Sequence, residues 1–179
     1  MGKQPDEALL AEARELFGVL GKNARALELV DRVLAREPEH VEALNLKAAI
    51  LYDLDRENEA WDLHLRAVTL QPNSVEALHG LASIANERGQ YAEALTWTQR
   101  ALRAIPRDPY PEFIENADYR QQLIAEVYNE QAFALWYLEK SDEATRLLTV
   151  DAPAACPLEE DSFEEQLAWL QEHPEGPEE

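Results

Sequence analysis

Three prolines, Pro38, Pro72 and Pro106, stand 34 residues apart, and Ala26, Ala60, Ala94 and Arg32, Arg66, Arg100 keep the same interval. A fixed period between about 20 and 50 residues marks stacked supersecondary units, none of which can bury its own apolar face alone. This period limits the chain to repeat architectures before any single residue is interpreted. It also bears on function, because a solenoid offers an extended surface whereas an enzyme usually needs a closed pocket with convergent polar groups.

The unit runs from Glu7 to His40, from Val41 to Ser74 and from Val75 to Asp108. Each copy predicts two helices joined by a tight turn. In the third, Leu78, Leu81, Ala82 and Ala85 recur at helical intervals, Gly89-Gln90 breaks the run, and Ala94, Leu95, Ala101 and Leu102 resume it before Pro106 ends it. Glycine at 89 suits the left-handed conformation that closes a helix, and Asp55 takes that place one unit earlier. Ala48, Ala82, Ala60, Ala94, Ala67 and Ala101 are spaced so that helices can approach without side chains between them. A larger residue at Ala60 or Ala94 would overpack the joint, at a cost of about 1–3 kcal/mol.

The 34-residue length with Leu81-Ala82, Gly89, Tyr91, Ala94, Ala101 and Pro106 resembles the tetratricopeptide repeat. The match is strongest over 75–108, good over 41–74 and weaker over 7–40, where Arg14 replaces the small residue of the first helix. Ala132, the turn around Glu139-Lys140-Ser141 and Ala144 mark a degenerate fourth copy over 125–150. It is displaced by one period plus 16 inserted residues, so the repeat domain is expected to span 7–150. The resemblance implies an all-α fold, a right-handed superhelical solenoid whose first helices line a concave groove, and a role in holding partner proteins. Pentatricopeptide RNA readers are a related alternative, but their period is 35 and the acidic balance opposes RNA. The carboxylate-gripping subclass of the family uses Lys, Arg and Asn in the groove. Ala11, Glu15, Glu76 and Gly80 stand near those places here, which disfavours that ligand.

Residues 109–124 break the period. Pro109 and Pro111 close the third unit, and Ile114, Tyr119, Leu123, Ile124, Val127 and Tyr128 predict a helix that starts early. From about Ala117 to Leu138 it would span about 33 Å, so part of it overhangs the stack, either covering core or offering a dimer contact. The fourth copy is cut short at Pro153. Ser162 and Glu165 then have capping-box spacing, and Phe163, Leu167 and Leu170 give an apolar stripe, so 158–172 is expected to hold a capping helix. Residues 173–179 are expected to form a disordered acidic tail.

Charge narrows the partners. The 36 acidic and 16 basic residues leave a formal charge of −20, and residues 151–179 hold ten of the acids with no Lys or Arg. Neither nucleic acid nor an anionic membrane is expected, since both need clustered cations. Like charges also oppose the tail folding into an acidic groove. Cys156 is the only cysteine, so no intrachain disulfide forms, and the charges in the first twenty residues break any long apolar run, so neither a signal peptide nor a span is expected there. The cytoplasm is the expected compartment.

On the predicted superhelix, one stripe of each first helix faces the groove. It carries Glu42, Asn45, Ala49, Tyr52 and Asp53, then Glu76, His79, Ser83, Asn86 and Glu87, then Glu126, Asn129, Phe133, Trp136 and Tyr137. Amides pair with a ligand's polar groups, carboxylates pair bidentately with Arg, and aromatics supply rigid apolar area. A peptide or helix with basic residues is the expected partner. Phe133, Trp136 and Tyr137 have a second reading, as core against the terminal helix. Arg32, Arg66 and Arg100, with Arg36, Arg103 and Arg107, read as solvated cations near helix C-termini or as a second binding face. No His-Glu-x-x-His, CxxC, phosphate loop or nucleophile elbow occurs, so neither catalysis, nor a cofactor, nor a metal is expected. The expected role is a non-catalytic adaptor. The alternatives are a homodimer built on helix 117–138 and a chaperone or regulatory subunit of a larger complex.

Overall fold

The computed structural model describes residues 3–19, 21–155 and 161–174. These residues form an α-solenoid of helical hairpins, with no strand among them, packed as two compact units that divide between Pro72 and Asn73. Length alone suggests one domain; the division falls instead where the second repeat ends.

The first unit holds α1 (Lys3–Arg14), prolonged by a π turn over Glu15–Val19, then α2 (Asn23–Leu34), α3 (Val41–Asp53) and α4 (Glu57–Leu70). Helix α1 begins four residues ahead of the sequence boundary at Glu7. Its core is built from Leu10, Ala13, Ala26, Leu29, Val30, Val33, Ala43, Leu46 and Ile50. The second unit holds α5 (Val75–Glu87), α6 (Tyr91–Ala104), α7 (Pro111–Glu115), α8 (Ala117–Tyr137) and α9 (Ser141–Arg146). A π turn over Leu147–Asp151 then leads into α10 (Ala152–Ala155), and α11 (Asp161–Glu172) follows.

One backbone device makes every hairpin. Gly21, Asp55, Gly89 and Glu139 have φ of 58°, 57°, 69° and 61°, and their spacing is the period twice and then the period plus the insertion. In the last three hairpins the residue after this left-handed position donates its N–H to a carbonyl five residues back: Arg56 to Leu51, Gln90 to Ala85 and Lys140 to Leu135. These bonds satisfy carbonyls that a helix end leaves orphaned. Packing follows the same interval. Ala26, Ala60, Ala94 and Ala144 are each fully buried, as are Ala48, Ala82 and Ala132. No side chain larger than a methyl fills these positions, so the paired helices close on each other.

Pro38, Pro72 and Pro106 each follow the second helix of a hairpin. The corner after each proline ends on a helix cap in the first two cases: His40 Nδ1 accepts from Ala43 N–H and Ser74 Oγ from Ala77 N–H. The third such residue, Asp108, accepts from Tyr110 N–H at 2.8 Å and from Val75 N–H at 2.7 Å. It thereby ties the end of its repeat to the start of α5.

The early helix predicted after Pro111 is two elements, and α7 covers the beginning of α8. Phe113 is buried, Arg120 Nη1 donates to Ile114 O at 3.0 Å, and Tyr110 meets Tyr119 edge-on at 6.4 Å. Helix α8 ends at Tyr137, one residue short of the expected Leu138. Helix α11 begins at Asp161, so Ser162 lies inside the helix and not before it. His173 does not begin a free tail: its N–H donates to Trp169 O, its ring stacks on Trp169 at 4.5 Å, and its carbonyl accepts from Tyr137 Oη at 3.0 Å. Cys156, Pro157 and residues 175–179 lie outside the described residues.

Candidate functional site

In the first unit the predicted groove residues lie on α3. Asn45 is buried at 2% exposure, Glu42 and Tyr52 are half-buried and Asp53 is exposed. Both acids already have partners from elsewhere in the unit. Arg14 Nη2 donates to Glu42 Oε1 at 2.6 Å, and Asn23 Nδ2 donates to Asp53. Arg14 therefore does more than spoil a small-residue position, since it neutralises an acid 28 residues later.

The second unit is arranged differently. Its helices α5 and α8 lie side by side, with His79 Nδ1 3.9 Å from Glu126 Oε2 and Asn86 Nδ2 donating to Glu130 O at 3.0 Å and to Glu130 Oε2 at 2.6 Å. Between them is a cavity of about 260 Å³. Helix α5 contributes Ser83, Asn86 and Glu87, α8 contributes Asn129, Glu130 and Phe133, and α11 contributes Gln166. Among the described residues no Lys or Arg lines it. Asn86 is only 5% exposed, and its Oδ1 has no hydrogen-bond partner; Asn129 Oδ1 is likewise buried and unmatched.

The apolar wall is rigid because aromatic rings brace it. Phe133 packs on Tyr91 at 6.1 Å, on Tyr137 at 4.6 Å and on Trp169 at 5.8 Å, and Tyr137 stacks on Tyr91 at 5.0 Å. Offset and edge-on pairs of this kind add to the stabilisation from burial. Burial pushes the Tyr137 phenol up, and the neighbouring Tyr91 adds to the shift. Helix α11 is fixed to this wall through Trp169 and to the unit's core through Phe163 and Leu170, which are 6% and 0% exposed.

Of the predicted groove residues, Ser83, Asn86, Glu87, Asn129 and Phe133 thus meet in one cavity. Glu76, His79 and Glu126 lie on the same two helices outside its lining, as does the half-buried Trp136, and Glu42, Asn45, Tyr52 and Asp53 belong to the other unit. Phe133 and Tyr137 also pack against the last helix and the residue after it, as the core reading of that aromatic cluster expects. Sequence reasoning missed Glu130 and Gln166. Glu130 lies one turn after Glu126, so helical spacing held its signal, whereas Gln166 reaches the cavity through α11 and has no spacing signal.

The arginine stripe is largely occupied with the protein itself. Arg66 Nη2 donates to Pro38 O at 2.7 Å, Arg36 Nη1 lies 2.8 Å from Asp6 Oδ1, and the Arg100 guanidinium sits 4.7 Å from the Trp97 ring centre. Among the described residues no group of His, Cys, Asp and Glu could hold a metal ion, and no helix is long and apolar enough to cross a membrane.

A family model described as "Tetratricopeptide repeat" matches residues 10–75 and 62–109, together more than half of the chain. No curated protein matches. Among solved structures, a thermophilic TPR protein of Thermus thermophilus is 23% identical with a TM-score of 0.69, covering 92% of this chain and 80% of that one. A MamA double mutant is 17% identical with a TM-score of 0.68, covering 97% and 86%. A mutant O-GlcNAc transferase of Thermobaculum terrenum is 22% identical with a TM-score of 0.66; it covers 84% of this chain, which spans only 26% of the transferase. At these identities the likeness is one of fold.

Proposed function

Since the chain belongs to the tetratricopeptide repeat family, whose fold serves protein interaction in general, we propose that it is a non-catalytic adaptor that holds a basic segment of a partner protein. The face formed by α5 and α8 is the proposed docking surface. The observation that carries this reading is the cavity between α5, α8 and α11: among the described residues it is lined by two carboxylates, three amides and a hydroxyl around one fixed aromatic ring, and by no cation. The chain's charge of −20 favours encounter with basic partners over distances comparable with the Debye length, about 8 Å at physiological salt. The cytoplasm is the proposed compartment.

Fluorescence anisotropy tests the proposal with labelled twelve-residue peptides of equal length, one set rich in Arg and Lys and one rich in Asp and Glu, drawn at about twelve residues to span several helical turns. Basic peptides should bind, and Glu87→Lys with Glu126→Lys should weaken them in a salt-dependent way. Equal binding of acidic and basic peptides, or capture unaffected by the charge reversals, would remove this face as the docking surface.

A further inference from the structure

We propose that the arginines at the end of α6 form a second docking face, which takes a short acidic segment of a partner protein. None of its residues lines the α5–α8 cavity, so the inference stands apart from the reading above.

Arg100 and Arg103 lie in the second half of α6, and Arg107 closes the turn of 3-10 helix, Ile105–Arg107, that prolongs it. Steps of three and four residues bring all three to one side of the helix, over a length of about 12 Å. Arg103 and Arg107 are exposed and Arg100 is half-buried. A helix C-terminus favours a cation, but like charges one turn apart oppose each other.

Nothing in the chain relieves that opposition. Elsewhere exposed cations are answered within a turn, Arg25 by Glu28, Arg56 by Glu59 and Lys140 by Glu143. Around Arg103 the residues one turn away are Gln99, Arg100, Pro106 and Arg107, so α6 has no acid to offer. Arg100 rests on the Trp97 ring and Arg107 Nη1 lies 3.5 Å from Arg103 O; among the described residues none of the three is paired to a carboxylate. The Trp97 ring holds the Arg100 guanidinium in place by cation–π attraction, which lowers the freedom it would lose on binding.

Arg36 shows what ligand such a side chain takes. It bends back over the last turn of α2, Nε donating to Arg32 O at 3.1 Å, and its Nη1 lies 2.8 Å from Oδ1 of the buried Asp6, which α1 supplies. Arg107 reaches back over α6 in the same way with no such acid to meet it. A carboxylate brought by another protein would complete the arrangement that Asp6 completes in the first repeat. Guanidinium groups pair with carboxylates through two parallel hydrogen bonds, which gives the match direction as well as charge.

The net charge sets the size of the occupant. At −20 the chain repels an extended polyanion and a second copy of itself, whereas three cations within about 12 Å attract a few carboxylates at distances near the Debye length of about 8 Å. A short acidic segment fits both conditions.

The test uses the full chain and two labelled peptides of about twelve residues, one rich in Asp and Glu, the other with Asn and Gln in their place. The acidic peptide should bind and shift the amide resonances between Trp97 and Arg107, and the neutral one should shift none of them. Arg103→Gln with Arg107→Gln alters only exposed side chains, so it should leave the fold intact and weaken the acidic peptide by about tenfold. Basic peptides should bind this variant as they bind the wild type. Acidic-peptide binding that the α6 substitutions remove therefore belongs to this face and does not count against the α5–α8 one, while loss of basic-peptide binding alone would sink that reading and leave this one. Shifts of the same amides by the neutral peptide, or an unchanged affinity of the variant for the acidic one, would overturn the proposal. So would tighter binding of a single-stranded oligonucleotide of equal charge, or self-association that the same substitutions abolish, since each gives the face to another occupant.

Discussion

The first-helix faces of the two units begin from the same repeat and end with different chemistry. On α3, Glu42 is paired to Arg14 at 2.6 Å and Asp53 accepts from Asn23, so both acids are answered within their own unit. Around the α5–α8 cavity, Glu87 and Glu130 stand beside the amides of Asn86 and Asn129, and among the described residues no Lys or Arg lines it. The repeat fixes the hairpin and the buried columns, whereas binding character depends on which long side chains reach across. Arg14, at a position that otherwise takes alanine, is the residue that answers Glu42 on the first face.

The largest expected effects test whether the two units share one packing scheme. Leu44 and Leu78 occupy the same repeat position and are both fully buried. Leu44→Ala and Leu78→Ala should each cost about 2–5 kcal/mol, read as urea midpoints at unchanged slope. Costs that differ by more than about 2 kcal/mol would mean that the sites relax differently and that the positions are equivalent in sequence only.

Trp169→Ala should have a smaller effect, about 1–3 kcal/mol, because Trp169 is only half-buried but stacks on both Phe133 and His173. The same change should loosen the wall of the cavity and weaken the binding of basic peptides. If binding survives intact while stability falls, Phe133 is held by Tyr91 and Tyr137 alone.

Arg14→Ala bears most directly on the contrast between the faces. The Arg14–Glu42 pair is partly exposed, at 35% and 20% of the two side chains, so its loss should change stability by less than about 1 kcal/mol. Removing the cation should, however, let the α3 face take up an Arg-rich peptide, seen as new backbone amide shifts at Glu42 and Asn45. No gain in binding there would show that geometry, and not charge pairing, separates the two faces.

Much of the fold was legible in the sequence because its determinants are local and periodic. Gly89 announces a left-handed turn by its chemistry, the interval extends that reading to Asp55, and the period plus the insertion reaches the turn around Glu139-Lys140-Ser141; Asp55 and Glu139 both have positive φ. Buried alanines at 60, 94 and 144 follow from the same count. The cavity was only half legible. Asn86, Glu87, Asn129 and Phe133 stand out as a helical stripe, but Gln166 reaches the site through α11, whose placement is set by Trp169 and Leu170 and not by any period. The Arg14–Glu42 pair was hidden for a similar reason, since a flexible side chain bridging 28 residues leaves no spacing rule behind. His173 likewise reads as tail composition, yet its stacking on Trp169 and its bond from Tyr137 hold it to the end of the last helix.

The smallest expected effect separates the corner of the third repeat from the one before it. His40, Ser74 and Asp108 recur at the repeat interval, and Asp108 alone places a carboxylate there, 7% exposed. Burial raises its pKa above the usual 3.8, while the N–H groups of Val75 and Tyr110 pull in the opposite direction without cancelling it. A carboxyl harder to ionise in the folded chain binds its proton more tightly there than in the unfolded chain. Its contribution to stability is therefore largest at low pH and is lost as pH rises from the unfolded value through the raised folded one. Asp108→Asn keeps one acceptor and cannot titrate. Urea midpoints of the two proteins between about pH 3 and pH 7 should show the wild type losing ground to the variant as pH rises, then running parallel to it. Ser74→Ala leaves the Asp108 carboxylate and its bond from Val75 N–H in place, so it should keep the wild type's pH dependence. A wild type that gains on Asp108→Asn with rising pH would mean that the two backbone bonds outweigh burial, and that this corner holds its aspartate as an anion.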